Sequence, residues 1–533
     1  MAQPVRGRRG IAVAPHALAS QSALAVLRDG GNAVEAMVAA AATIAVVYPH
    51  MNGIGGDSFW LVSLPDGGGT EVIGIDASGA AGSAARRENY AGQSAIPFRG
   101  GTAAITVAGT LSGWDEALAL SRERMGGRLP LDRLLADAID AARHGTPVTR
   151  SQHLTSERKR AELQAVSGFA DAFLPGGAAP AIGSLFRQPR MAATLDQLAR
   201  AGLDDFYRGD LAIGLARDLQ AAGSPLLRED LAAHRALRLA PLELAHSRGR
   251  VFNMPPPTQG LVSLLILGLM DRLGLEGADH LGADYVHAAV ESVKQAFAVR
   301  DRHITDPAHM TVQPADFLAP AALDAMAARI DPAQAAPWGA GRGPADTVWM
   351  GVIDGEGRAV SMIQSIYHEF GAGIVLRESG VNWQNRGASF SLDPNHINTL
   401  APGKRPFHTL NPAMALLDDG RTMVYGNMGG DGQPQSQSAV FTRSVTLGLD
   451  PQAAISAPRW LLGRTWGQTS DSLKLESRFP QATVDALRAR GHEVELLADF
   501  DETVGHAGCL FRHADGSLEG GFDPRSDGSV AAF

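Results

Sequence analysis

The stretch Asp346–Ser365, DTVWMGVIDGEGRAVSMIQS, constrains this chain more than any other. Thr347–Ile353 is rich in β-branched and apolar residues, Asp354-Gly355-Glu356-Gly357 supplies turn chemistry, and Ala359–Ile366 is apolar again. That is the pattern of a β-hairpin. The segment before it, 330–346, reads IDPAQAAPWGAGRGPAD. Its Pro, Gly and Ala content cannot hold a regular element and predicts a mobile leash. A strand that starts abruptly behind a leash has a chemical consequence. Were the chain cut between Asp346 and Thr347, the Thr347 hydroxyl would stand beside a free α-amine on a rigid strand. An α-amine, with an unperturbed pKa of roughly 7.7–8.0, suits a general base. The plainer reading, an ordinary buried strand after a surface loop, is the commoner one for such a pattern.

At 533 residues the chain has room for two or more domains, or for one large layered domain. Its 45% apolar and 19% charged residues describe an ordinary globular protein. A net charge of −9 without a basic stripe argues against nucleic acid as a partner, and Arg6, Arg8 and Arg9 read as a short solvated tail. Cys509 is the single cysteine, which excludes an intramolecular disulfide and a cysteine-based metal cage. The apolar run IAVA is stopped at once by Pro15 and His16, so no leader is expected. The longest apolar run, 33–48, contains Glu35 and is shorter than a bilayer span. No membrane partner is expected, and the cytoplasm is the expected address.

Along the chain, residues 17–29 read as a helix ended by Gly30-Gly31. Asn32 then caps a second helix with Glu35 at its third position and Pro49 as its stop. This second helix is apolar nearly all round and should be buried. Gly53, Gly55 and Gly56 lead into a strand and suit close backbone packing better than dinucleotide binding. Residues 110–240 alternate helical patterns with polar loops. A Pro-rich loop from Asn253 feeds an apolar helix, and Tyr285–Arg302 reads as an amphipathic helix carrying Glu291, Lys294 and Asp301. Beyond the hairpin, three Gly/Pro/Asn-rich stretches at 381–391, 402–416 and 424–437 suit the rim of a pocket. Gly429-Gly430, after the strand Thr422–Tyr425, can present two backbone N–H groups to a developing oxyanion, or simply form a glycine turn. His50, His368 and His408 lack metal-ligand spacing and read as structural histidines.

In this order, PPPTQG (255–260), DTVWMGVIDGEGRAVS (346–361), FGAGIV (370–375), PGKRP (402–406), MGGDGQ (428–433), SAPR (456–459) and DPRSDG (523–528) resemble the γ-glutamyltranspeptidase family. The resemblance runs from about Gly10 to the C-terminus. It implies an α+β fold, a four-layer αββα sandwich of the N-terminal-nucleophile hydrolase type. It also implies one precursor that cuts itself between Asp346 and Thr347 into a large chain, 1–346, and a small chain, 347–533. Thr347 would be the nucleophile, Ser365 the hydroxyl supporting it, and Gly429 and Gly430 the oxyanion hole. No metal or organic cofactor is called for. The two chains would form a heterodimer, with two heterodimers able to pair.

The departures from the family bear on substrate. The arginine that grips the glutamyl α-carboxylate in transpeptidases falls on Ala77, the aspartate that holds the α-amine falls on Ser389, a serine pair becomes His408-Thr409, and an asparagine near the nucleophile becomes Tyr367. Unpaired buried charges cost roughly 3–5 kcal/mol each, so a free γ-glutamyl group should bind poorly. Within the family, IDASGAAG, QSIYHEFG, WQNRGA, FHTLNPA and LLGRTWGQ resemble a subgroup that hydrolyses a small amide with a carboxylate directly on the scissile carbon. Such a substrate needs a cation close to the nucleophile. Arg386 is the candidate, with a structural salt bridge as its equal alternative. His408 or Thr409 can hydrogen-bond the same carboxylate, and Tyr367 the carbonyl or leaving amide. An acylase of other small acyl amides, a γ-glutamyl hydrolase, and an uncleaved binding protein remain as alternatives.

Overall fold

The computed structural model describes residues 3–339, 346–464 and 470–533, with Asp346 described in its backbone only. Two seven-stranded sheets form its centre. In the first, the strands run Val5–Gly7, Leu518–Phe522, Ala507–Arg512, Thr422–Asn427, Ala413–Leu417, Gly249–Asn253 and Leu242–His246. In the second they run Ser529–Ala532, Gly10–Ala14, Asp346–Asp354, Ala359–Tyr367, Asp57–Asp66, Gly69–Ala77 and Leu237–Leu239. Every pairing within both sheets is antiparallel.

Alternation along the strands divides the apolar residues into three layers. Val13, Phe59, Trp349, Ile353, Ile363, Val424 and Leu510 meet between the sheets. The opposite face of the second sheet, with Val348, Met350 and Met362, packs on the helices Ala17–Arg28 and Ala33–Val47. The outer face of the first, with Ala413, Met423 and Tyr425, packs on Gly260–Arg272 and Ala283–His303. The result is the αββα sandwich. Trp349 plugs the middle layer: a Cβ on Gly426 would lie 2.1 Å from its ring and one on Gly508 2.4 Å. Only residues without a side chain leave room for the indole there.

The helix Ala33–Val47 is buried at all 15 residues, as its uniform apolarity requires. Asn32 and Glu35 close a capping box at its start, and the Ala33 N–H donates to Asp354 Oδ2 in the hairpin turn. The buried helix and the hairpin are thereby fastened together.

Three expectations need correction. Arg6, Arg8 and Arg9 are exposed as expected, but they do not form a tail: Arg6 lies in an edge strand and pairs with Glu519 at 2.8 Å, while Arg9 sits over the Phe533 ring. The helix Ala283–His303 is largely buried, and Glu291 and Lys294 pair inside it at 2.6 Å. The expected leash has no regular element over 331–339, yet it is tied down. The Ala335 N–H donates to the Arg490 carbonyl, and Ala336 bonds both Glu291 and Lys294. Residues 340–345 of the leash and 465–469, which include the second half of the LLGRTWGQ motif, lie outside the described residues. Among the described residues, no helix is long and apolar enough to cross a membrane.

Candidate active site

The hairpin is regular except at its open end. Asp346 pairs with Tyr367 and Val348 with Gln364, so two residues, Ser365 and Ile366, stand opposite the single residue Thr347. A bulge re-aims side chains, and here it brings the two hydroxyls together. Thr347 Oγ1 donates to Ser365 Oγ at 3.3 Å, and Ser365 Oγ also accepts the Tyr367 N–H at 2.8 Å. Tyr367 takes a left-handed backbone, φ 83°, which strains a residue with a Cβ. Gly56 presses on the same point, since a Cβ there would lie 2.0 Å from the Ser365 carbonyl oxygen. The packing expected of these glycines is thus found beside Thr347.

Gly429 and Gly430 follow the strand Thr422–Asn427 and precede the helix Gly432–Phe441, both with positive φ, 109° and 52°. The turn holds Gln433, whose Nε2 donates to Thr347 Oγ1 at 3.5 Å. Gln259, from the PPPTQG loop, braces it from behind, with Nε2 donating to the carbonyls of Gly430 (2.8 Å) and Thr409 (2.9 Å). The glycine turn, the hairpin that carries Thr347 and Ser365, and the loop of Gln259 are therefore assembled from three distant segments of chain.

A cavity of about 250 Å³ opens beside this group, lined in part by Tyr367, His368, Ser389, Phe407, Thr409 and Asp431. All three polar stretches foreseen as a rim contribute to it. Thr409 Oγ1 has no hydrogen-bond partner among the described residues. Ser389 Oγ instead donates to the carbonyls of Arg386 and Phe407. Ala77, where the transpeptidase arginine falls, is fully buried at a strand end.

Arg386 is sealed in the interior with 1% exposure, and its guanidinium lies 3.8 Å over the Tyr367 ring. None of its three side-chain nitrogens has a hydrogen-bond partner among the described residues. Burial lowers its pKa to about 10, partly offset by Tyr367 and Asp57. An arginine so placed remains a cation, and a buried cation with open donors is a site for a carboxylate.

The residue that sequence reasoning missed is Asp57. It pairs in register with Ser365 across the sheet and is 1% exposed. Its Oδ1 accepts from the N–H groups of Gly79 and Gly109 and from Gln384 Nε2, each at 3.0 Å. Its Oδ2 has no hydrogen bond among the described residues and lies 3.4 Å from His408 Nε2. Burial raises the carboxyl to about 7, against the lowering pull of Arg386 and of these donors. His408 turns its ring to Asp57 and Phe59, and burial, followed by Arg386 and Arg405, holds it well below the usual imidazole range. His408 is accordingly less satisfied than a structural histidine, with neither ring nitrogen in a formed hydrogen bond among the described residues. His50 reaches Ser151 at 3.2 Å, while His368 packs on Phe98 and Tyr367. Gln433 and Asp57 carried one sequence signal each: Gln433 closes the MGGDGQ motif, and Asp57 opens a buried strand with a charge.

The family model of γ-glutamyltranspeptidase matches residues 19–533. The chain belongs to the γ-glutamyltranspeptidase family. This family member is 61% identical over 524 residues to the oxamate amidohydrolase proenzyme of Klebsiella pneumoniae, with 98% of each chain covered. It is 40% identical over 537 residues to a glutathione hydrolase-like proenzyme of Bacillus subtilis, covering all of both. In fold it is similar to the crystal structure of cephalosporin acylase from Bacillus halodurans, with a TM-score of 0.90 and 34% identity over 100% of this chain and 97% of that one.

Proposed function

We propose that this chain is a self-processing amidohydrolase that converts oxamate to oxalate and ammonia. The observation that carries the reading is Arg386, a buried guanidinium whose donors are all open among the described residues, stacked on the tyrosine that pairs across the hairpin with Asp346. Oxamate is a small amide whose carboxylate is bonded directly to the scissile carbon, so clamp and nucleophile must be close neighbours. The likeness to the Klebsiella pneumoniae protein supports the same substrate.

Thr347 acts twice. In the precursor its Oγ attacks the Asp346 carbonyl, the peptide bond gives way to an ester, and the freed nitrogen becomes the Thr347 α-amine. Water then cleaves the ester, leaving a large chain, 1–346, and a small chain, 347–533. In the mature protein the α-amine takes the hydroxyl proton and Oγ attacks the amide carbon of oxamate. The N–H groups of Gly429 and Gly430 receive the oxyanion, a contribution of roughly 3–4 kcal/mol per donor. The proton passes from the amine to the departing nitrogen, which leaves as ammonia. Water then hydrolyses the oxalyl ester and regenerates Thr347. Ser365 and Gln433 hold the hydroxyl in line, Arg386 grips the carboxylate, and Thr409 and Tyr367 complete the pocket. The two chains stay together as a heterodimer that pairs again, and the protein works in the cytoplasm.

The test is release of ammonia and oxalate from oxamate by purified, self-cleaved protein, with Thr347→Ala as control. Release by wild type alone, with the variant uncut, is expected. An active, uncut Thr347→Ala protein would sink the mechanism, and a fully cleaved wild type inert on oxamate would sink the substrate.

A further inference from the structure

We propose that Asp57 is a second buried carboxylate facing the Arg386 clamp without occupying it, and that it takes up a proton when the substrate carboxylate binds there. The inference rests on the reading of Arg386 as the carboxylate clamp and goes beyond it.

The geometry is that of a carboxylate with one oxygen held and one left free. Three donors at 3.0 Å fix Oδ1 and therefore the orientation of the whole group. Oδ2 is buried with no hydrogen bond among the described residues, beside the His408 ring and within the field of Arg386. Asp57 is a carboxylate that acts on Arg386, whose three nitrogens are equally bare among the described residues. An anion entering at Arg386 therefore brings a second negative charge into a space already holding one. In such a medium, like charges at close range are expensive, and one of them is neutralised by a proton. The substrate carboxylate is the stronger acid, because a carbonyl is bonded directly to it. The proton accordingly goes to Asp57.

The other groups facing Asp57 cannot take that proton near neutrality. His408, on the loop after Lys404, is held neutral by burial and by Arg386 and Arg405. The Tyr207 hydroxyl, from the helix Asp205–Arg208, is pushed by burial far above its usual range, and it donates to the Ala108 carbonyl. Gln384 and the Gly79 and Gly109 amides do not titrate. Asp57, raised by burial to about 7, is the group poised to change state. Above that pH its charge competes with substrate, and below it the clamp stands open. Asp57 touches no reacting atom, so it is a positioning residue for substrate affinity.

This predicts a split between kinetic constants. In wild type, KM for oxamate rises about tenfold per pH unit above 7, whereas kcat follows the Thr347 amine. In Asp57→Asn, which keeps the acceptor for Gly79, Gly109 and Gln384, KM stays flat from pH 6 to 8.5. Calorimetry of oxalate binding to cleaved wild type at pH 7.5, in buffers of different ionisation enthalpy, gives the second reading and needs no variant. Uptake of a substantial fraction of a proton per bound oxalate is expected. Zero uptake by wild type, or a KM slope unchanged in Asp57→Asn, overturns the proposal while oxalate binding itself leaves Arg386 as the clamp. Absence of any oxalate binding to wild type removes both readings together.

Discussion

Arg386 and Arg525 are both sealed inside the protein, and they differ in almost every other respect. Arg525 donates from all three side-chain nitrogens: Nε to Glu476, Nη1 to Asp523 and the Ile455 carbonyl, and Nη2 to Glu476 and the Ala457 carbonyl. Burial opposes its charge, but Asp523 and Glu476 outweigh that cost and raise its pKa. Asp523 is in turn held well below the usual carboxylate range, because Arg459 and Arg525 outweigh its burial. Arg386 has no hydrogen bond at all among the described residues, and the nearby Asp57 is raised rather than lowered. A buried ionic network that closes on itself serves the fold. One that leaves donors and an acceptor bare is built for something that arrives later.

The comparison is broken or sharpened first by removing each guanidinium. Arg525→Met leaves Asp523 with Arg459 and Glu476 with Arg478, one buried cation short, and thermal denaturation should show a loss of roughly 3–5 kcal/mol. Arg386→Met removes a cation that has no hydrogen bond among the described residues, so Tm should hold or rise, while kcat/KM for oxamate falls roughly 10²–10³-fold. Equal losses of stability in the two variants would make Arg386 a scaffold residue.

The two carboxylates sharpen the contrast through pH. The Asp57 carboxyl is at about 7 in the folded protein and near 3.8 when unfolded, so between those values the folded state holds a proton that the unfolded state has released. Its contribution is present below pH 4 and is lost as pH rises to 7, on the order of 4 kcal/mol. Asp57→Asn should flatten that slope in chemical denaturation. Asp523, with a depressed pKa, has the opposite sign: its contribution is present above pH 4 and is lost in acid. A smaller effect is expected at the nucleophile. Gln433→Leu removes the amide facing Thr347 Oγ1, and kcat should fall about tenfold with KM little changed, the scale of one hydrogen bond to a reacting group. Least of all, Asn32→Ala, far from both arginines, should cost about 1 kcal/mol of stability and leave kcat alone.

Much of the scaffold was legible because it rests on local chemistry. The capping box at Asn32 and Glu35, the uniformly apolar helix after it, and the hairpin flanking Asp354-Gly355-Glu356-Gly357 are each written in adjacent residues. What escaped was decided by partners far along the chain. Arg6 looks like a tail until Glu519 lies beside it, and the 331–339 segment looks loose until Glu291, Lys294 and Arg490 hold it. The pairing of Asp57 with Ser365 spans the same kind of distance, and so does the grip of Gln259 on the turn of Gly430. The bulge that aims Thr347 at Ser365 depends on a register that no local pattern specifies. Arg386 was open between a clamp and a salt bridge in the sequence. Its bare nitrogens exclude a salt bridge within the described residues.

The most direct measurement is the thermal shift produced by oxalate on cleaved wild type and on Arg386→Met. Oxalate at a hundredfold excess over its Kd should stabilise wild type by about 2.7 kcal/mol and raise Tm by a few degrees. The same concentration should leave Arg386→Met unmoved, although that protein is folded and self-cleaved. An equal shift in both proteins would contradict the account, because the carboxylate would then be held somewhere other than at Arg386.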